Sequence, residues 1–306
     1  MSTATRFSGI LAPVVTPFRR DLSPDPERLI DHCRWLLTKK TGLAVFGTNS
    51  EGTALSVDEK LALLDSLVDA GIEPGRLMPG TGCCALTDTV TLTRYATELG
   101  CGGVLMLPPF YYKNVSDEGL FASYSEVIQR VGSNSLRIYI YHIPPVAQVG
   151  VSVDLVERLV RHYPRTVVGI KDSSGDWSNT QALIGRKWDD FRVFAGSEMF
   201  LLQTMRAGGA GCISAAANIN PAAIHQLYAG WQGATADSLQ QGLNEFRLLL
   251  QRYPMIPALK AVIARYTRET EWGIVRPPLV ELAGDQYQTL IEMLEKRGFS
   301  MPGRCD

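Results

Sequence analysis

Residues 137–173 read RIYIYHIPPVAQVGVSVDLVERLVRHYPRTVVGIKDS, and the spacing of the apolar residues changes character twice along the stretch. An apolar run, Arg137 to Pro144, precedes a segment of helical period, Asp154 to His162, and a second apolar run, Val167 to Ser173, follows it. Run, amphipathic helix, run is the pattern of a β/α/β unit with parallel strands. The alternation extends outward in both directions. Six further runs lie at Ile10 to Phe18, Gly42 to Gly47, Arg76 to Gly82, Gly102 to Pro108, Phe191 to Gly196 and Gly211 to Asn218. Helical segments between runs include Pro26 to Lys40, Ser56 to Ala70, Leu86 to Leu99, Ser116 to Val131 and Thr180 to Asp189. Ser56 before Asp58 and Glu59, and Ser116 before Asp117 and Glu118, are cap-and-acid signals for helix starts.

Eight β/α units in the first two-thirds of the chain suit a closed α/β (β/α)8 TIM barrel better than a doubly wound sheet. After Asn218 the pattern is helix only: Pro221 to Trp231, Ala234 to Tyr253, Ile256 to Thr267 and Asp285 to Arg297. The expected organisation is a barrel over 1–220 and a C-terminal helical appendix over 221–306, packed as one structural unit because no Ser/Gly-rich linker divides them.

The chain has 306 residues, 45% hydrophobic and 20% charged, with 30 Lys+Arg against 31 Asp+Glu. Without a basic block there is no footprint for nucleic acid or an anionic membrane surface. No segment approaches an apolar span of about 20 residues, and Met1 to Phe7 does not read as a leader, so a cytoplasmic protein is expected. Cysteines at 33, 83, 84, 101, 212 and 305 form no CxxC pair, which fits reduced thiols. His32, His142, His162 and His225 make no zinc-binding pattern, and no metal is expected.

In a barrel the working residues project from the C-terminal ends of strands. The run Val167 to Ser173 places Lys171 there. Burial disfavours the charged form of an amine, and a neutral amine attacks a ketone to form a Schiff base; a lysine that simply reaches water is the alternative. Tyr141 closes the neighbouring run, where a phenol either shuttles protons or fills a barrel layer. Alternation puts His142 on the opposite side, as a packing residue. Gly47-Thr48-Asn49-Ser50-Glu51-Gly52 offers hydroxyl, amide and backbone donors for a carboxylate, or is an ordinary turn. Pro108-Pro109-Phe110-Tyr111-Tyr112 sets two aromatics at the mouth or at an interface. Gly80-Thr81-Gly82 lacks the rest of a dinucleotide fingerprint, Asp172 and Asp176 read as loop and cap residues, and Cys83-Cys84 reads as a buried pair.

Taken in order, Gly47-Thr48-x-x-Glu51, Tyr111, Tyr141-x-x-Pro144, Gly169-Ile170-Lys171-Asp172, Gly196 and Gly211-Cys212-Ile213-Ser214 give a chain that resembles the dihydrodipicolinate synthase / N-acetylneuraminate lyase family of Schiff-base lyases and aldolases. The resemblance covers nearly all of the chain. It implies Lys171 as the imine-forming residue toward pyruvate or a pyruvate-like 2-keto acid, with no cofactor. Tyr141 looks like the family's proton-transfer tyrosine, Thr48 like its hydroxyl partner, and Tyr111 like a third hydroxyl that reaches the neighbouring subunit of a homo-oligomer, a dimer or a dimer-of-dimers tetramer. Thr48 and Asn49 look like the keto-acid carboxylate site, with Gly196 and Ile213 lining the pocket.

Two departures bear on substrate. Asn49 and Ser50 replace the family's usual hydroxyl residue and Gly, and Pro145-Val146-Ala147-Gln148 lacks the arginine with which dihydrodipicolinate synthases hold a semialdehyde carboxylate. Ser173, Ser197 and Glu198 offer polar groups for a hydroxylated tail instead. The leading expectation is therefore an aldolase or dehydratase for a 2-keto-3-deoxy sugar acid. The alternatives are a 4-hydroxy-tetrahydrodipicolinate synthase with its arginine supplied from elsewhere, and a keto-acid-binding regulatory barrel without turnover.

Overall fold

The computed structural model describes residues 6–304. Among them are seven strands, β1 (Gly9–Ala12), β2 (Gly42–Leu43), β3 (Val104–Met106), β4 (Ile138–His142), β5 (Val167–Asp172), β6 (Arg192–Ala195) and β7 (Gly211–Ile213). They form one all-parallel sheet in the order β2-β1-β7-β6-β5-β4-β3. Helices α1 (Pro26–Thr38), α2 (Val57–Asp69), α3 (Leu86–Glu98), α4 (Asp117–Val131), α5 (Pro144–Ala147), α6 (Val153–His162), α7 (Trp177–Gly185) and α8 (Leu201–Ala207) alternate with the strands. Then come α9 (Pro221–Ala229), α10 (Ala236–Leu250), α11 (Met255–Thr267) and α12 (Gly284–Lys296).

The expected caps are present. The Ser56 hydroxyl accepts from the Glu59 amide while the Glu59 carboxylate accepts from the Ser56 amide, and Ser116 accepts from Gly119. Each pairs a donor that the first helical turn leaves unpaired. Asp176 caps α7, which starts three residues earlier than the apolar period alone suggests.

Of the eight expected strands the third, Arg76 to Gly82, is not formed as a strand. The segment lies between the two edges of the sheet and touches each at one bridge, Leu43 with Leu77 and Gly80 with Leu105. Met78 and Gly80 donate to the Leu43 and Val45 carbonyls at 2.8 Å, while Leu105 donates to the Pro79 carbonyl at 2.9 Å. Pro79 has no N–H, which interrupts the ladder at its centre. Gly80 packs so closely on Phe46 that a Cβ there would sit 2.3 Å from the Phe46 carbonyl oxygen. The arrangement is consistent with a (β/α)8 barrel in which the third staves are joined by single bridges.

The inner face of the sheet carries its own apolar cluster, including Leu11, Ala44, Met78, Leu105, Tyr139, Tyr141, Val168, Phe194 and Ile213. Every strand position, Met78 included, contributes to this layer. Two larger clusters lie outside it. One joins β3 to β6 to their helices, and the other joins Ile10 and Leu36 to Phe246 and Leu250 of α10, Val262 of α11 and Leu290 of α12. The C-terminal helices thus share a core with β1 and α1.

His32 sits fully buried in that second cluster, its ring 5.6 Å from Trp35 and 5.2 Å from Trp272. Burial pulls its pKa down from 6.5 to about 3. The unfolded chain therefore binds one more proton than the folded one between these values, and stability is full above pH 6.5 and declines as pH falls toward 3. His32→Phe is expected to remove roughly 3 kcal/mol of the stability difference between pH 7 and pH 4. Denaturant unfolding at the two pH values measures it; equal pH dependence in the two proteins would refute the assignment.

Candidate active site

The positions of Tyr141 and Lys171 follow from one irregularity. β4 and β5 pair Ile138 with Val167, then Tyr139 with Gly169, so Val168 is an extra residue, a β-bulge. Val167 faces the outer cluster and Val168 the inner one. Strict alternation from there would turn Lys171 outward. The bulge resets the parity: Gly169 lies against the Tyr139 ring, Ile170 faces out, and Lys171 faces in beside its register partner Tyr141. Lys171 is 2% exposed, with Nζ 4.2 Å from the centre of the Tyr141 ring. Asp172 then points outward, where it accepts from Thr180 Oγ1 at 2.6 Å, Asn179 Nδ2 at 3.0 Å and the Ser174 amide at 2.9 Å. The amine is left without an ion-pair partner among the described residues. His142, one residue past Tyr141, faces outward too and accepts from the Val151 amide at 2.9 Å; burial lowers its pKa.

The loop after β2 is a tight turn at Thr48–Ser50, with Ser50 Oγ accepting from the Gly47 amide and the Ser50 carbonyl accepting from Thr16 Oγ1. Glu51 takes a left-handed backbone conformation, φ 54°, and is held by its carboxylate: Lys260 Nζ donates to it at 2.6 Å and the Arg276 amide at 2.9 Å. Gly52 has no room for a side chain, since a Cβ would lie 2.0 Å from the Phe46 carbonyl oxygen. These constraints set Thr48 Oγ1 3.2 Å from the Tyr141 hydroxyl.

A cavity of about 420 Å³ opens above these groups. It brings together Thr48, Asn49, Tyr141, Lys171, Ser173 and Gly196. Gly196 is confined by Ser173, whose Oγ would be 2.0 Å from a Cβ at that position.

Three expected site residues lie elsewhere. Ile213 packs at 0% exposure in the inner apolar layer, and Ala215, two residues past the end of β7, stands in the cavity wall. Glu198 is 1% exposed and turned away from the cavity, since it accepts hydrogen bonds from Ser214 Oγ and, at 3.3 Å, from Arg247 Nη1. Tyr111 is 73% exposed, edge-on to Tyr112, and outside the cavity of its own chain. Cys83 and Cys84 are not a buried pair either: they lie just before α3, where Cys83 is half-buried and Cys84 exposed.

The C-terminal helices supply what the strand-by-strand reading missed: Arg247 of α10, Gln251 at its end and Met255 of α11 all line the cavity. A signal was present in the sequence, a lone arginine inside the apolar stretch Phe246 to Leu250 with Gln251 one helical turn on. Ile143, Val146, Met199 and Phe200 form an apolar wall. Among the described residues no group of three or more His, Cys, Asp or Glu is placed to hold a metal, and no helix is long and apolar enough to cross a membrane. A buried amine, a phenol at its side and a hydroxyl bonded to that phenol can attack a carbonyl and move protons beside it.

The profile of the Dihydrodipicolinate synthetase family matches residues 6–297. A curated relative from Chloroflexus aurantiacus, an uncharacterized DapA-like lyase, is 31% identical over 94% of this chain and 96% of its own. The 4-hydroxy-tetrahydrodipicolinate synthase of Methanosphaerula palustris is 31% identical over 94% of this chain and 98% of its own. Among solved structures, dihydrodipicolinate synthase from Agrobacterium tumefaciens superposes with a TM-score of 0.85 at 33% identity, covering 94% of this chain and 98% of that one.

Proposed function

We propose that this chain, a lyase that belongs to the dihydrodipicolinate synthetase family, works through an imine between Lys171 and the keto group of pyruvate or a pyruvate-like 2-keto acid. The observation that carries this reading is the buried Lys171 amine beside Tyr141, whose hydroxyl meets Thr48 Oγ1 at 3.2 Å. The amine adds to the ketone, and the carbinolamine loses water to give the imine. The imine nitrogen then takes up the electron pair released when a bond to the neighbouring carbons breaks. In cleavage Tyr141 accepts the proton from the hydroxyl that becomes an aldehyde; in dehydration it accepts the proton from the carbon beside the imine and returns it to the departing hydroxyl, which leaves as water. Thr48 and Asn49 hold the keto-acid carboxylate, and the chemistry draws on no metal or organic cofactor.

We read the substrate as a 2-keto-3-deoxy sugar acid or a related hydroxy-keto acid, cleaved or dehydrated. Ser173 and Ser197 supply hydroxyl contacts in the cavity. A second reading, synthesis of 4-hydroxy-tetrahydrodipicolinate from pyruvate and aspartate semialdehyde, is favoured by Arg247, an arginine that reaches the cavity from α10 rather than from the loop after β4. Borohydride added with pyruvate is expected to fix a covalent mass on Lys171. An unchanged intact mass under conditions that trap a control enzyme would overturn the imine and leave a keto-acid-binding barrel.

The exposed Tyr111 and Tyr112 are read as reaching a neighbouring copy, where Tyr111 completes the proton relay in a dimer or tetramer. Tyr111→Phe keeps the ring and removes the hydroxyl, so turnover is expected to fall by roughly 10²-fold with assembly intact, the low end for a lost proton-transfer group. Unchanged turnover, or a fully active monomer on dilution, would remove the shared site. We read the chain as cytoplasmic, a reading supported by the five free thiols among the described residues.

A further inference from the structure

We infer that Arg247 receives the far end of the substrate and that this end carries a second carboxylate, so the substrate is a 2-keto diacid; the inference rests on the imine reading above and names the substrate class for that site. Arg247 lines the same cavity as Lys171, with its side chain only 13% exposed. One edge of its guanidinium is anchored: Nη1 lies 3.3 Å from Glu198 Oε2 and 3.5 Å from Ser214 Oγ. That anchor is itself fixed. Ser214 Oγ donates to the Glu198 carboxylate, and Gln240 Nε2 donates to the Glu198 backbone carbonyl at 3.0 Å.

The rest of the guanidinium makes no hydrogen bond with the described residues, although Oε1 of the Glu198 carboxylate that anchors Nη1 is also buried without a partner. Neither Nε nor Nη2 has a hydrogen-bond partner among the described residues, and Nε is buried. A nearly buried guanidinium with spare donors is costly unless a ligand completes it, and a carboxylate matches its planar fork. Gln251 adds an amide at the same side of the cavity. The cavity that holds both Arg247 and Lys171 is also lined by Met199, Phe200, Ala215 and Met255, which suit a short carbon chain, while Ser173 and Ser197 leave room for hydroxyls along it. Glu198 offsets part of the Arg247 charge, so the site fits a singly charged carboxylate better than a doubly charged phosphoryl group.

The test compares 2-keto acids of equal chain length that end in a carboxylate, a primary hydroxyl or a phosphate, by the concentration that gives half-maximal borohydride trapping at Lys171. The carboxylate-ended acid is expected to trap at roughly 10- to 100-fold lower concentration than the hydroxyl-ended one, the range for charge-assisted hydrogen bonds. Arg247→Lys should shrink this ratio, and the pair Arg247→Met with Glu198→Gln, which leaves neither charge buried alone, should bring it close to one. A wild-type ratio near one, a preference for the phosphate, or a ratio unchanged in the variants overturns the inference while pyruvate trapping keeps the imine reading. Failure of pyruvate itself to trap removes both.

Discussion

Lys171→Met is expected to lower turnover by ~10⁴- to 10⁶-fold, the scale on which removal of a covalent nucleophile acts, while the protein stays folded. Methionine follows the path of the lysine stem, and Lys171 has no ion-pair partner among the described residues whose charge would be stranded. The adduct with pyruvate and borohydride should vanish together with turnover. Tyr141→Phe should fall less, by roughly 10²- to 10⁴-fold, because it removes a proton carrier and leaves the amine able to form the imine. The order of the two losses is the informative outcome. A Lys171→Met protein that kept more than about 1% of turnover would place the chemistry on another residue.

Lys260→Met is expected to cost about 3–5 kcal/mol of stability, the penalty for stranding a buried charge. Lys260 is 0% exposed, bonds Glu51 at 2.6 Å and lies 4.4 Å from the centre of the Phe18 ring. Burial lowers its pKa to about 8 against the opposing pull of Glu51. Without Lys260 the buried Glu51 carboxylate keeps, among the described residues, the hydrogen bond from the Arg276 amide but loses its ion-pair partner. Lys260→Met combined with Glu51→Gln removes both charges and is expected to recover most of the loss, since replacing a buried pair is far milder than breaking one. Denaturant unfolding of the three proteins measures this, and a double variant no more stable than the single one would show that the pair acts through packing alone. Because Glu51 ends the turn that carries Thr48 and Asn49, the single variant should also raise the pyruvate concentration needed for trapping.

Features that depend on near neighbours along the chain were legible from the residues alone. Helix starts at Ser56 and Ser116 follow from a hydroxyl and the unpaired amides just after it. The apolar runs locate seven strands of the parallel sheet, and the ends of β2, β4 and β5 hold Thr48, Tyr141 and Lys171, which meet in one cavity because parallel strands present their C-terminal ends together. The ordered motifs from Gly47-Thr48-x-x-Glu51 to Gly211-Cys212-Ile213-Ser214 carried the family resemblance.

Other features follow from how distant segments press on one another, which no local pattern records. The run around Pro79 is apolar enough to be a strand, but its neighbours on both sides allow single bridges where a proline interrupts the donors. Lys171 faces inward because Val168 bulges against β4, and alternation along β5 alone would turn it the other way. Glu198 stands at a strand-end position suited to a ligand, yet Ser214 and Arg247 draw its carboxylate behind the cavity. Arg247 itself comes from a helix whose period shows only that one face is buried; which cavity that face closes is set by the packing of α10 on α8, α9 and the turn at Glu198–Phe200, contacts that no local pattern encodes.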